Sequence, residues 1–408
     1  MAGQRNLITG SSSAIGRETA FRLARICAAI LLAAADAGSS LQGQRPAALF
    51  GPGLRIEVGR QPSDVAAADL NSDRRLDIVI AHPGSDDVTI LLGDGRGGFR
   101  PAPGPRPAVG PMPHLIALGD VNRDGKLDIA TAGHDSHDIH VFLGRGDGSF
   151  ARAPGSPVAA LSAGRPHNHG LVFADVNADG VLDIGTSNQN DNSVSVLLGD
   201  GSGGFRAAPG SPFRVGRAPY PLALGDVTGD GKLDVVTPDV RSNTITVLSG
   251  DGTGRFSAAP GSPYGVAFRP YAVALGDLDG DRKPDIVSAH DDITLLTVLL
   301  NDGQGRFRPS PGSPVDIGER GGEVVLADFN HDGRLDLATG TAANHLAVWL
   351  GDGTGRFSAA PGSPFPAPRG PWNLAVADLN DDGEPDLVVT GLEEGSIRVY
   401  WNERRRRP

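Results

Sequence analysis

Seven short acidic segments recur along the chain at a near-constant interval, and any fold proposed for it must place them equivalently. They read ADLNSDRRLDI, GDVNRDGKLDI, ADVNADGVLDI, GDVTGDGKLDV, GDLDGDRKPDI, ADFNHDGRLDL and ADLNDDGEPDL. Their leading aspartates are Asp69, Asp120, Asp175, Asp226, Asp277, Asp328 and Asp378, separated by 51, 55, 51, 51, 51 and 50 residues. A repeat of this length is one supersecondary unit. It cannot bury its apolar surface alone and must stack on its neighbours.

A second motif interleaves with the first, as in LLGDGSGGFRAAPGSP and LSGDGTGRFSAAPGSP. Each unit therefore reads as four short strands. LIALGDV enters the acidic loop, LDIATA leaves it, TITVLSG runs into a Gly-rich hairpin, and a fourth strand begins at the Phe. Four antiparallel strands per repeat make a propeller blade. The 58 glycines and 32 prolines fit many short strands and turns better than long helices.

Six complete Phe motifs serve seven acidic loops. The missing one stands at the other end of the array, as Phe50-Gly51-Pro52-Gly53 followed by LRIEVG, while the last repeat stops at SIRVYWN without an outer strand of its own. The expected fold is all-β, a seven-bladed β-propeller of four-stranded antiparallel blades over residues 46–402, preceded by a short N-terminal leader. The segment after Phe50 should complete blade seven beside Ile397 to Trp401, leaving no open sheet edge. On these motifs the units resemble FG-GAP or VCBS repeats, the blades of integrin-alpha-like propellers, and the resemblance spans residues 46–402 in seven copies.

The acidic loops have the donor pattern of a calcium site. In GDVNRDGKLDI, Asp120, Asn122 and Asp124 occupy positions 1, 3 and 5, Gly125 allows a sharp turn, and Asp128 closes at position 9. Calcium takes six to eight oxygens, whereas magnesium prefers a stricter octahedron and zinc wants His or Cys. The only loop histidine, His331, is not at a ligand position. The other candidate sets are Asp69, Asn71, Asp73 and Asp77; Asp175, Asn177, Asp179 and Asp183; Asp226, Thr228, Asp230 and Asp234; Asp277, Asp279, Asp281 and Asp285; Asp328, Asn330, Asp332 and Asp336; and Asp378, Asn380, Asp382 and Asp386. Close to half of the 48 acidic residues lie here, so bound Ca²⁺ would offset a formal net charge of −11. Arg74 and Arg282 stand where glycine is expected, at a cost if φ is positive. Blades two, three, six and seven are expected to bind calcium best, and blade one least.

Six residues before each leading aspartate stand Ser63, His114, His169, Tyr220, Tyr271, Gly322 and Trp372, most of them preceded by proline. They should gather near the ring axis, on the face opposite the acidic loops. Arg60, Arg165, Arg217, Arg269, Arg320 and Arg369 lie slightly earlier. Two readings stay open for His114, His169, Tyr220, Tyr271 and Trp372: a ligand face for a glycan or a protein loop, or a plug for the channel. The histidines of GHDSHDIHVF read as surface residues, with no zinc site expected among them.

The stretch LITGSSSAIGRETAFRLAR resembles the start of a short-chain dehydrogenase, with Thr9, Gly10, Ala14 and Gly16 in the phosphate-loop pattern. No βαβ sheet follows it, and no Tyr-x-x-x-Lys occurs. RLARICAAILLAAADAG instead suggests a secretory signal, so residues 1–37 are expected to be a leader. Residues 403–408 form a basic tail, and Cys27 is the sole cysteine. No apolar run is long enough to span a membrane as a helix, and the acidic balance argues against nucleic acid. These features together suggest a secreted, periplasmic or cell-surface monomer that binds a glycan or protein and is not an enzyme. The alternative is a propeller-fold polysaccharide lyase or hydrolase, for which the sequence offers no Ser-His-Asp set.

Overall fold

The computed structural model describes residues 48–104, 106–161 and 167–403, together with the backbone of a two-residue strand, Ile8–Thr9. The expected seven-bladed propeller is present. Blade two shows the pattern: Pro113–Gly119, Asp128–Gly133, Asp138–Gly144 and Phe150–Arg152 pair antiparallel in that order from the axis outwards. Blades three to six repeat it, and blade one runs Val65–Ala68, Asp77–His82, Asp87–Gly93 and Phe99–Pro101.

Why these segments are strands follows from their burial. The second strands, such as DIVIAH in blade one, are buried at every position. Alternate side chains face opposite blades, so both faces are apolar and the sequence reads as a continuous run. Ile78 and Ile80 pack toward blade seven with Val388, Ile397 and Val399. Val79 and Ala81 pack toward blade two with Ile116, Ile129 and Phe142. Seven such clusters fill the seven seams between blades, so the core is a ring and not a centre.

The fourth strand is interrupted, which the sequence reading did not anticipate. After Phe150–Arg152 the chain leaves the third strand, then returns as Val158–Ala159 opposite Ile139 and Asp138. In the gap Ser156 Oγ accepts the N–H of Val141 at 2.9 Å. Ser211, Ser262, Ser313 and Ser363 do the same for Val196, Val247, Val298 and Val348. The hydroxyl thereby supplies the partner that a buried backbone donor needs.

Blade seven closes as expected. Its inner strands are Pro371–Ala377, Asp386–Gly391 and Ser396–Tyr400, and its outer strand is Leu54–Glu57 from the other end of the array. Phe50 bridges Asn402 and packs edge-on against Phe329, Phe365 and Tyr400, with ring centroids 5.6, 5.7 and 6.5 Å away. Ile8–Thr9 pairs with Ala67 and Ala66 on the inner edge of blade one. The rest of the expected leader, and the tail beyond Glu403, lie outside the described residues. Among the described residues no helix is long and apolar enough to cross a membrane.

Candidate functional site

The two sets of candidate residues sit at opposite ends of the same strands. The acidic loops join each first strand to its second, whereas the aromatic positions lie at the first strand's start. Five of these strands open with a break in register: between Pro113 and Leu115, Asn168 and Gly170, Pro270 and Ala272, Gly321 and Val324, and Pro371 and Leu374. The skipped residues include His114, His169, Tyr271 and Trp372. A bulge re-aims the side chain it carries, and a proline beside it has no N–H to lose from the ladder.

The re-aimed rings form a circuit about the axis. His114 lies 6.3 Å from His169, centroid to centroid; His169 stacks on Tyr220 at 3.8 Å; Tyr220 lies 4.5 Å from Tyr271; Tyr271 lies 6.3 Å from Trp372; and Trp372 returns to His114 at 5.8 Å. Blades one and six contribute the small residues Ser63 and Gly322. The rings close the channel and also floor a small cup of about 30 Å³, open on one side, that Glu323 and Asn373 help to line. The ring circuit accords with the plug reading of these residues. Trp372 remains 37% exposed at the rim.

Glu323 and Asn373 were not singled out from the sequence. Both follow an axial residue by one position and are buried, and neither Glu323 Oε1 nor Asn373 Oδ1 has a hydrogen-bond partner. The available signal was a carboxyl group inside the apolar strand GGEVVLA. Burial, helped by the nearby Asp64, pushes the Glu323 carboxyl well above the usual range. Burial thus favours its protonated form, which can donate a hydrogen bond.

The histidines of GHDSHDIHVF are not all surface residues, which corrects the sequence reading. His140 is buried, and His134 is half-buried against the axial set, 5.1 Å from His169 and 4.0 Å from His167. The loop between the second and third strands opens on the same face as the axial residues. His167, just ahead of blade three's first strand, meets it there, its ring 4.0 Å from that of His134. Burial lowers the pKa of His114 to about 4, with His134 and His167 adding to the effect. It lowers those of His167 and His169 as well. Of the arginines, Arg269 pairs with Asp291 at 2.6 Å and Arg320 with Asp292 at 3.3 Å. Arg60, Arg217 and Arg369 are exposed, and Arg165 lies outside the described residues.

Five of the acidic loops share one internal geometry, whereas in blades four and five the N–H of Gly229 and Gly280 takes the place of position 5 in donating to the leading aspartate. In blade two, Asp120 accepts the N–H groups of Asp124 and Gly125 at 3.1 and 2.8 Å, and Asp124 accepts that of Lys126 at 2.9 Å. The closing Asp128 accepts from Val121 in the loop and from Gly144 at the end of the third strand, at 2.9 and 2.8 Å. Position 6 has positive φ in every loop, at Gly125 (82°) and equally at Arg74 (70°) and Arg282 (68°). Position 4 does too, at Ser72, Arg123, Ala178, His331 and Asp381, a feature the sequence did not announce. Burial raises the closing carboxyls of Asp77, Asp128, Asp183, Asp234 and Asp336 to about 6, Asp285 to about 7 and Asp386 to about 8.

In blade five the carboxylate oxygens of Asp277, Asp279 and Asp285 come within 4.8 Å of one another, while Asp281 is paired with Lys283 at 2.8 Å. An all-oxygen, carboxylate-rich set of this kind fits a hard cation such as calcium. Among the described residues no other loop brings three carboxylates so close. His331 turns to Glu384 at 2.9 Å, away from a ligand role.

The same loops anchor a family match. The FG-GAP-like repeat family matches residues 69–131, 120–186, 185–237, 239–288, 277–339 and 328–389. The chain belongs to the FG-GAP-like repeat family. Solved structures share the fold of these FG-GAP-like repeats at low identity. One is an Agrocybe aegerita lectin described for its specific recognition of non-reducing terminal N-acetylglucosamine (20% identity, TM-score 0.50, 83% of this chain and 85% of that one). A second is BBS1N in complex with ARL6DN (12%, 0.60, 88% and 98%). A third is a protein from Lactobacillus plantarum (13%, 0.53, 83% and 89%). No curated protein matches the sequence.

Proposed function

We propose that this FG-GAP-like propeller is an exported binding module that takes a glycan or a protein loop in the axial cup, with its acidic loops holding calcium on the opposite face. The observation that carries this reading is the cup itself. An exposed Trp372 stands beside two buried polar atoms without partners, Glu323 Oε1 and Asn373 Oδ1. Flat aromatic faces with a few convergent polar groups are the usual make-up of a ligand pocket. The Agrocybe lectin, whose ligand is a sugar, and BBS1N, whose partner is a protein, are consistent with either class.

A glycan array and a protein-partner screen on the calcium-loaded chain test the proposal. Trp372→Ala and Asn373→Ala should each weaken the captured ligand at least tenfold. A ligand held equally well by both variants would place binding elsewhere. The second reading, a polysaccharide lyase or hydrolase, rests on Glu323 as a buried carboxyl lining the cup with Oε1 unpartnered, its protonated form favoured by burial. Release of new reducing or unsaturated ends from a bound glycan, abolished in Glu323→Gln, would favour it over simple binding.

A further inference from the structure

We infer that His134, His167 and His169 form a site for a zinc-like divalent transition cation at the edge of the axial cup. One ligand atom from each lies within 4.8 Å of the other two, and the ring centroids are 4.0, 4.5 and 5.1 Å apart. Three separate elements supply them. His134 comes from the loop between the second and third strands of blade two, His167 from the connector into blade three, and His169 from the bulge that opens blade three's inner strand. His167 and His169 lie within the one interval of 55 residues, from Asp120 to Asp175, in an array otherwise spaced by 50 or 51. The four extra residues thus fall where the third histidine is delivered.

Two further observations point to a ligand. His169 is 6% exposed, yet its Nε2 has no hydrogen-bond partner. A buried ring nitrogen left unpaired costs free energy that a metal bond would recover. Asp135 Oδ1 lies 3.0 Å from His134 Nδ1 and 3.6 Å from His167 Nδ1. A carboxylate bonded to the far nitrogen of a ligating imidazole fixes its orientation and raises its basicity. Burial also favours the neutral imidazole, the ligating form, at His167 and His169. Of the other charged groups nearby, Arg241 acts on His167 and opposes a cation only weakly from its exposed position.

Nitrogen ligands select zinc, copper or nickel over calcium, so this site is chemically separate from the acidic loops. Three histidines leave a fourth position for water or a ligand group. His114 lies nearby, its ring centroid 5.3 Å from that of His134. The inference does not rest on the cup binding a glycan or protein.

Tag-free full-length protein in saturating calcium should take up one zinc per chain in competition with a colorimetric chelator. Cobalt at the same site should give the intense visible absorption of a four-coordinate nitrogen-rich centre. His167→Ala, at a half-exposed position, should weaken zinc at least tenfold, the pair His134→Ala with His167→Ala should abolish it, and Asp135→Asn should weaken it several-fold. His137→Ala, from the same stretch, should change nothing. Failure of the wild type to compete with the chelator would overturn the assignment. So would an unchanged stoichiometry in His167→Ala, or a weak octahedral cobalt spectrum.

Discussion

Ile56, six residues after Phe50, pairs directly with Ile397 in the last strand, so the two ends of the array share one sheet. The contact is supported by Arg55, whose Nε lies 2.6 Å from Glu394, and by the burial of Phe50 among three aromatic rings. Phe50→Ala should lower stability by about 3–5 kcal/mol, the usual cost of emptying a buried phenylalanine site. Deleting residues 48–57 should do more, because it bares the Ser396–Tyr400 edge to intermolecular pairing. Thermal melting and size-exclusion chromatography would show a lower melting temperature and soluble oligomers. A truncated chain that stayed monomeric with an unchanged melting temperature would mean that blade seven is closed by something else.

Arg74 and Arg282 hold φ of 70° and 68°, values at which a Cβ crowds the carbonyl. Glycine occupies the same position in the other five loops. Arg74→Gly and Arg282→Gly should therefore stabilise the fold, each by about 0.5–1 kcal/mol after the greater freedom of glycine in the unfolded chain is counted. The loop hydrogen bonds need not change, since the position-6 N–H groups already donate to Asp69 and Asp277. Removing the cation should also tighten calcium. Denaturant midpoints with and without calcium would separate the two effects.

The blade count, the strand order and the closing of blade seven were legible because each follows from period and from a missing motif. The positive φ at position 6 was legible because glycine marks it five times in seven. What stayed hidden depends on contacts between distant segments. The bulges that aim His114, His169, Tyr271 and Trp372 arise from pairing with the second strand, and proline hints at them without fixing the register. His134 and His167 meet only because neighbouring blades open on one face. A further pairing was written in the sequence but went unread. A Cβ at Gly93 or Gly144 would overlap the carbonyl of Leu76 or Leu127, just ahead of the closing aspartate. In blades five and seven, where proline replaces that leucine, Asn301 and Asn402 stand in the glycine's place. Asn301 Nδ2 donates to Pro284 O and Val227 O, and Asn402 Nδ2 donates to Phe329 O, each at 2.9 Å.

The closing aspartates give the metal-free protein an unusual pH response. Their folded values, about 6 for five of them, about 7 for Asp285 and about 8 for Asp386, lie above the value near 3.9 expected when unfolded. The folded state therefore binds more protons than the unfolded state between those limits, and stability falls as pH rises. This contribution is full below about pH 4 and is lost through pH 6 and, for Asp386, through pH 8. In chelator, the urea midpoint should fall steadily from pH 5 to pH 8. Asp386→Asn should flatten the upper part of that slope. A midpoint that rose over the same interval would show that these carboxyls are ionised in the fold despite their burial.

Calcium should reverse the sign of that slope. A cation held by Asp120, Asn122, Asp124 and Asp128 requires ionised carboxylates, so its affinity grows across the interval in which the metal-free fold weakens. With calcium a hundredfold above its dissociation constant, each occupied loop should add about 2.7 kcal/mol. Chelation should then lower the melting temperature most at pH 8 and least at pH 5. The loops should also differ. Asp120→Asn should remove more of the calcium-dependent shift than Asp69→Asn, because Arg74 already brings a cation into blade one's loop. In blade five, where three carboxylates converge, Asp277→Asn should relieve repulsion without calcium and cost stability with it. Melting curves of the three variants, with and without chelator at pH 8, decide the matter. An equal shift in all three would mean that calcium acts by general screening and not at the loops.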